Sequence, residues 1–291
     1  MRLFSILFFV LSLGLAEAQT PQPAPPSTDA TTGSTDATTG PLPGTTTPDQ
    51  AEAKATDPTV PPLAVPGGVN IHWYGHGFIY LTSSVGIRAA IDPFGKDPDG
   101  NDIVHYKFPV HLSADMVLVT HEAEDHCGVD RIFGNPLIFR SVMAVGLQRA
   151  NGIPFYGVAL QKDPSGRGGS DTAFLLDFDG VKFCYLGQIS QPLLTQEKAQ
   201  LGKVDVLFLP VGLKTLSVGE MNQVATDLGA KIIIPINYKT DLSGILELRT
   251  LDEYLDGTKF PVRKFSSEEI AVTKDTIPHD PTVYVLKPPT P

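Results

Sequence analysis

The side chains best suited to chemistry are concentrated in the stretch VLVTHEAEDHCG, residues 117–128. An apolar run ends there at His121, and Asp125 and His126 follow shortly afterwards. Imidazole and carboxylate groups bind zinc and other divalent metals, and they also transfer protons as general acids and bases. The stretch therefore predicts a metal-binding or acid–base site at the end of a strand.

Three other side chains in this stretch carry potential ligand atoms, namely Glu122, Glu124 and Cys127. Any one of them could complete a single-ion site with the neighbouring histidines and aspartate. Loop glutamates are more often solvated, however, and a lone cysteine is more often a small packing residue than a ligand. We therefore favour structural roles for these three residues and keep ligation as the alternative.

Short runs rich in β-branched and aromatic residues, separated by Gly, Pro and Asp, predict that strands position this stretch. These runs are VNIHWYG, GFIYLTS, IRAAIDP, DMVLVT and PLIFRS. The segment AFLLDFDGVKFCYLG predicts a hairpin that turns at Asp179-Gly180. The runs VDVLFLPVG and AKIIIPINY are continuously apolar, as expected for strands buried on both faces.

Helices are predicted between some of these strands, over SVMAVGLQRAN, TQEKAQLG and SVGEMNQVATDLG. The last of these has a cap at Ser217, a capping-box glutamate at Glu220 and a stop at Gly229. Strands with interspersed helices in both halves indicate a mixed α/β fold. Two packed sheets with helices outside are the simplest such architecture.

Three segments are predicted along the 291 residues. Residues 1–18 have the charge, apolar run and A-x-A site of a secretory signal, with a membrane anchor as the alternative. Residues 19–66 are rich in Thr, Pro, Ala and Ser, and we expect a disordered linker. Residues 67–291 suit one folded domain. We therefore expect export to a periplasm, cell surface or extracellular space, with no membrane span after signal removal.

Charge and cysteine content restrict the partners and the covalent framework. The formal net charge of −10 argues against nucleic-acid binding and leaves an unknown small molecule or protein as the partner. Cys127 and Cys184 are too few for a disulfide scaffold, although export leaves one disulfide open.

Six segments together resemble the metallo-β-lactamase superfamily. More narrowly, they resemble the zinc-dependent hydrolases related to the ascorbate-phosphate lactonase group. The segments are HWYGHGFIYL, IDPFG, DMVLVTHEAEDHCG, GSDTAFLLDFDGVKFCYLGQIS, VDVLFLPVG and AKIIIPINYKT. Their order and spacing match over nearly all of residues 67–291. The resemblance implies an α/β fold, an αββα four-layer sandwich, with a two-metal site where loops leave one edge of the strands.

Carrying the family's ligands over position by position leaves only His121, Asp125 and His126 as potential metal ligands. The other ligand positions fall on non-ligating or neutral residues: Ala123, Lys162, Gln188 and Asn237. The bridging aspartate is among the replaced ligands, and two dications without it would repel strongly. We therefore do not expect a dinuclear zinc centre. The alternative is one divalent ion, which could be zinc, manganese or iron.

The resemblance also assigns supporting roles. Asp125 is the candidate catalytic residue, and the Lys162 ammonium could neutralise it in place of a lost cation. His76 and Asp92 match the family's opening motifs, so we expect them to orient the ligands or merely to hold the fold. Tyr238 follows a replaced ligand and is expected near the same pocket.

The function most consistent with these losses is non-catalytic or weakly catalytic, with a ligand bound in the former active-site cleft. The alternative is a hydrolase of ester, lactone, amide or phosphoester bonds with a remodelled single-metal site. A third class is a surface-tethered interaction module, for which the Thr/Pro-rich segment is the only indication.

Overall fold

The computed structural model describes residues 67–161, 171–244 and 246–291. The predicted signal (1–18), the predicted linker (19–66) and Lys162 lie outside these residues. Across the described ranges, no helix combines the length and apolar character needed to cross a bilayer.

The first sheet is mixed and contains the N-terminal strands. Its strands are β1 (Val69–Gly75), β2 (Phe78–Thr82), β3 (Arg88–Ile91), β4 (Met116–Val119), β5 (Leu137–Arg140) and β13 (Glu269–Val272). Their order across the sheet is β13-β1-β2-β3-β4-β5. The strands β3, β4 and β5 run parallel, so their C-terminal ends lie at one edge of the sheet.

The second sheet packs against the first and carries the helices. Its strands are β6 (Gly146–Ala150), β7 (Ile153–Ala159), β8 (Thr172–Phe178), β9 (Val181–Tyr185), β10 (Val206–Pro210), β11 (Ile232–Ile236), β12 (Val262–Lys264) and β14 (Thr282–Val285). Their order is β12-β14-β11-β10-β9-β8-β7-β6. The helices are α1 (Thr195–Leu201), α2 (Val218–Asp227) and α3 (Leu251–Gly257).

Side-chain alternation explains why the central strand β4 of the first sheet is buried on both faces. In β4, Met116 and Leu118 belong to the main core with the second sheet, whereas Val117 and Val119 belong to a separate core. This second core is completed by side chains from the loops that follow β3 and β4: Phe94, Val104, Tyr106, Leu112, Ala114 and Ile132. The predicted α/β sandwich is confirmed, but among the described residues a long loop takes the place of a helix on this outer face.

Local sequence signals were accurate where they involve caps and tight turns. The amide of Glu220 donates to the Ser217 hydroxyl (3.3 Å), and the Glu220 carboxylate accepts from the Ser217 amide (2.8 Å). The hairpin between β8 and β9 turns at Asp179-Gly180, with φ of 52° and 77°. Both features confirm the predictions made from the sequence.

The predicted helix over SVMAVGLQRAN was wrong. This segment forms a 3-10 turn at Ser141–Ala144 and then the strand β6. Gly146, with a φ of 91°, interrupts any helix, and Asn151-Gly152 (φ 47° and 83°) forms a two-residue hairpin turn into β7. The Asn-Gly signal was present in the sequence, but the apolar residues before it were assigned to the wrong periodicity.

The two cysteines do not form the disulfide that the sequence left open. Cys184 is buried in the main core, and Cys127 is partly exposed beside the outer core of the first sheet.

Two glycines allow the loops after β3 and β4 to touch. The amide of Gly128 donates to the Pro93 carbonyl (2.7 Å), and the amide of Gly95 donates to the Glu124 carbonyl (2.8 Å). A Cβ on Gly128 would lie 2.5 Å from the Phe94 carbonyl oxygen, although its φ of −71° suits any residue. The close approach of two backbones therefore requires glycine here.

We predict that Gly128→Ala lowers the free energy of unfolding by about 1–3 kcal/mol, because the new methyl group meets backbone that cannot rotate away. Gly219→Ala is the matched control, since its Cβ would meet nothing closer than the Ser217 hydroxyl at 3.9 Å. Alanine in this first turn of α2 should be neutral or slightly stabilising. Urea unfolding of both variants checks the prediction, and equal midpoints would contradict it.

Candidate metal-binding site

The candidate site lies where several strands end, and three of its residues adopt left-handed backbone conformations. His76 follows β1, Asp92 follows β3 and Asn237 follows β11, with φ of 49°, 48° and 57°. Such conformations are uncommon for residues other than glycine and often occur at functional sites. In each case the chain turns sharply and leaves the side chain buried among its neighbours.

Asp92 is the fully buried acceptor at the centre of this site. One carboxylate oxygen accepts the amide of Thr120 (2.8 Å), and the other accepts the Thr120 hydroxyl (2.6 Å) and Nδ1 of His126 (3.0 Å). Because Nδ1 of His126 donates, Nε2 of a neutral ring carries a lone pair. Burial lowers the pKa of His126, but the charges of Asp125 and Asp92 outweigh this effect and raise it.

His121 is oriented in the same way through Thr120. Its Nδ1 lies 2.9 Å from the Thr120 hydroxyl and 3.5 Å from a carboxylate oxygen of Asp171. The hydroxyl already donates to Asp92, so it accepts from His121 Nδ1, and the lone pair is again on Nε2. This Nε2 is buried and has no hydrogen-bond partner among the described residues. Burial, and then the charge of His126, lower the pKa of His121 to about 4.

Asp125 is held in the site by a hydrogen bond from a third histidine, His76. Nε2 of His76 donates to Asp125 Oδ2 (2.9 Å), and the same oxygen lies 3.7 Å from Nε2 of His126. Burial alone would raise the pKa of Asp125. The charge of His126 and the hydrogen bond from His76 outweigh it, so the pKa falls below its usual range. Asp125 is therefore an anionic carboxylate beside two imidazoles.

Two of the replaced ligand positions converge on the same atom. The side-chain nitrogens of Gln188 and Asn237 lie 3.3 Å and 3.4 Å from Nε2 of His126. The Ala123 carbonyl accepts the His126 amide (2.9 Å), so this position shapes the turn. The structure thus places Gln188 and Asn237 together at the site.

The remaining candidates from the sequence lie elsewhere. The ring of Tyr238 packs against Trp73 in the core, with centroids 5.2 Å apart. The carboxylate of Glu122 pairs with Arg140, and Glu124 is exposed. Among the described residues, two groups bring potential ligand atoms close together, and neither contains Glu122, Glu124 or Cys127; they are His76, Asp125 and His126, and Asp92, His121 and His126.

Sequence reasoning missed the contributions of Asp171 and Thr120. Asp171 directly precedes β8, and its partly buried carboxylate approaches His121 (3.5 Å). Burial, together with the charge of Asp92, raises the pKa of Asp171 to about 7. The available signal was an acidic residue at the start of a buried strand, but only a three-dimensional arrangement brings it beside β4.

The donor set fits one metal ion better than two. His121 and His126 each bind a polar oxygen through Nδ1, which leaves the lone pair of a neutral ring on Nε2. This is the arrangement that commonly supports metal-ligating histidines. Asp125 adds an anionic oxygen 3.7 Å from Nε2 of His126. Among the described residues, the ligand groups within 4.8 Å place Asp125 with His76 and His126, and His121 with Asp92 and His126, so His126 is the residue common to both. A second ion would have to rely on the neutral amides of Gln188 and Asn237, which are poor zinc ligands.

Comparison with known proteins agrees with this fold. Residues 70–237, more than half of the chain, match the family model for the β-lactamase superfamily domain. The chain belongs to the metallo-β-lactamase superfamily. The resemblance of the six sequence segments to this superfamily is therefore confirmed.

Several relatives are similar over most of their own length. A UPF0173 metal-dependent hydrolase from Methanoregula boonei is 29% identical over 199 residues, covering 59% of this chain and 83% of the relative. Another UPF0173 metal-dependent hydrolase, from Archaeoglobus fulgidus, is 26% identical over 200 residues, covering 59% and 84%. A Thermotoga maritima structure, assigned to the Zn-dependent hydrolases of the superfamily, has a TM-score of 0.60 and 26% identity, covering 75% of this chain and 98% of that one.

We predict that Asp92→Asn destabilises the protein by about 1–3 kcal/mol, because an amide cannot accept all three donors that the carboxylate accepts. The pKa of His126 should also fall, since both the charge and the hydrogen bond of Asp92 raise it. Urea unfolding and an NMR titration of metal-free protein measure the two effects. Asp177→Asn, at an exposed position on β8, is the matched control. Identical behaviour of the two variants would refute the central role of Asp92.

Proposed function

We propose that the protein binds one divalent metal ion through His121, Asp125 and His126 and acts there as a weak hydrolase. The observation that carries this proposal is the buried Nε2 of His121, which has no hydrogen-bond partner in the described part of the chain. The His121 ring lies next to the His126 ring, at a centroid distance of 4.3 Å. A buried polar atom without a partner is costly, and an ion would satisfy it. The metal-dependent hydrolases among its relatives support the same assignment.

The residues of this chain would hold the metal ligands in place, and the ion would activate water. A bound divalent ion would supply Lewis acidity and lower the pKa of a water molecule. Asp92 holds the His126 ring, Thr120 holds the His121 ring, and His76 holds the Asp125 carboxylate. Ester, lactone, amide and phosphoester bonds are all compatible with this chemistry, since none of these side chains discriminates among them.

A second candidate function is a metal-free, non-catalytic protein that binds a ligand in the former active-site cleft. One observation favours it: the amides of Gln188 and Asn237 both lie within hydrogen-bond reach of Nε2 of His126. Each amide can donate to that lone pair and thereby compete with a metal ion. The two functions therefore differ in what occupies Nε2 of His126.

Metal content separates the two functions. We expect the purified full chain to retain about one equivalent of zinc, manganese or iron, and His126→Ala to lose it, because the substitution removes a ligand. His279→Ala is the matched control, since the side chain of His279 is exposed. Elemental analysis after desalting gives the stoichiometry. Metal-free protein in every case, with no rise in Tm on adding zinc, would exclude the hydrolase and favour the second candidate.

A restoring pair of substitutions tests why the site is weak. We expect Gln188→Asp combined with Asn237→His to raise the zinc affinity and the rate of ester hydrolysis each at least about tenfold, because an anionic and an imidazole ligand replace two amides. Gln148→Asp combined with Asn151→His repeats the same exchanges on the β6–β7 hairpin. Unchanged zinc affinity in the restoring pair would show that these amides do not limit metal binding.

A further inference from the structure

A run of exposed apolar side chains connects β5 and β6, the edge strands of the two sheets. Within residues 137–147, six large apolar side chains are exposed to at least 40%, and Met143 and Leu147 reach 83% and 72%. We call this surface the edge strip; its members are Leu137, Ile138, Val142, Met143, Val145 and Leu147. Scattered apolar residues are ordinary on protein surfaces, but a contiguous patch usually marks an interface.

The backbone along the edge strip is also available for pairing. Among the described strands, β5 pairs only with β4, and β6 pairs only with β7. The two-residue turn at Asn151-Gly152 makes Ala150 and Ile153 the hydrogen-bonded closing pair. Hydrogen-bonded and non-bonded pairs then alternate, which leaves the N–H and C=O groups of Leu147 and Arg149 directed towards the open edge.

The edge strip lacks the devices that normally prevent strand addition. Natural edge strands are protected by lysine, proline, bulges or inward-pointing charges. Residues 137–150, LIFRSVMAVGLQRA, contain no lysine or proline and two ionisable side chains: Arg140, which pairs with Glu122, and Arg149, which is exposed near the end of β6. In a chain with a net charge of −10, this stretch has no acidic residue that would repel a second copy.

A groove continues the edge strip over the outer face of the second sheet. It has a volume of about 280 Å³, and its apolar lining includes Leu147, Pro154, Tyr156, Leu175 and Leu201. Because Leu147 belongs to both features, a chain that pairs with β6 can place apolar side chains in this groove.

We propose that the edge strip is a dimer interface, in which β6 pairs antiparallel with β6 of a second copy about a two-fold axis. An antiparallel arrangement is self-complementary: each copy offers the same donors, acceptors and apolar side chains. The edge strip supplies six exposed apolar side chains, and the groove beside it extends this surface towards the roughly 800 Å² per partner of a stable interface. A second copy therefore satisfies both the open backbone and the apolar surface.

This interface borders the candidate metal site without sharing residues with it. Arg140 ends β5 and pairs with Glu122, the residue that follows His121. Dimer formation would thus immobilise the strand that holds one side of the His121 loop. The dimer does not depend on metal binding, so the two proposals can fail separately.

Sedimentation velocity of the full chain, from about 1 to 100 μM, tests the dimer. We expect wild type to be dimeric in the micromolar range, and Met143→Lys combined with Leu147→Lys to raise the dissociation constant at least about a hundredfold. The matched control is Val85→Lys combined with Val110→Lys, at residues that are 76% and 75% exposed outside the edge strip. Circular dichroism verifies that both double variants are folded.

Hydrogen exchange provides the second readout. In the wild-type dimer, the amides of Leu147 and Arg149 should be protected, and this protection should disappear in the lysine double variant while the amide of Gln148 stays protected by β7. A monomeric wild type over the whole concentration range would overturn the proposal. A dimer that survives the Met143 and Leu147 substitutions, or that the control pair disrupts equally, would also overturn it.

Discussion

The buried carboxylate of Asp92 determines the arrangement of the metal-binding loop. Its donors come from Thr120 and His126, and the Thr120 hydroxyl passes this orientation on to His121. A buried charge is tolerated only when it is well paired, so the Asp92 carboxylate needs these hydrogen-bond donors. The donors in turn need the carboxylate, because it fixes their orientation. The orientation of both imidazole rings is therefore a property of the folded chain and exists before any metal arrives.

This dual role explains which residues of the site the fold depends on. Asp92, His126 and Thr120 close a buried hydrogen-bond network, and replacing any of them would leave an unpaired polar group in the core. Gln188 and Asn237 meet this network only at Nε2 of His126, on the side of the ring away from Asp92. The network therefore fixes the two imidazole rings, and the amides determine what else can reach Nε2 of His126. Single-ion binding and metal-free ligand binding, the two functions proposed above, differ at that atom.

The sequence predicted the parts of the structure that local rules determine. The Ser217 cap, the Asp179-Gly180 turn and the continuously apolar strands β10 and β11 each depend on a few neighbouring residues. The segment before Asn151-Gly152 was assigned to a helix because its apolar residues suit either element, and pairing with β7 decided between them. Asp171 and Thr120 were missed for a related reason. Both residues matter because β4, β8 and the loop after β3 lie close together in the folded protein. The spacing of residues along the sequence does not predict this proximity.

The position of β1 has a further consequence. The chain before residue 67 joins the sandwich at β1, and three strands separate β1 from β5 in the first sheet. At about 4.8 Å per strand, this attachment point lies nearly 20 Å from the sheet edge that carries the edge strip. A pair joined through the strip would therefore present its two attachment points on opposite outer flanks. If the segments before residue 67 attach both subunits of the dimer to one surface, each dimer would be held at two points. How long a dimer stays on that surface would then depend on the distance between the two attachment sites as much as on the affinity of each attachment.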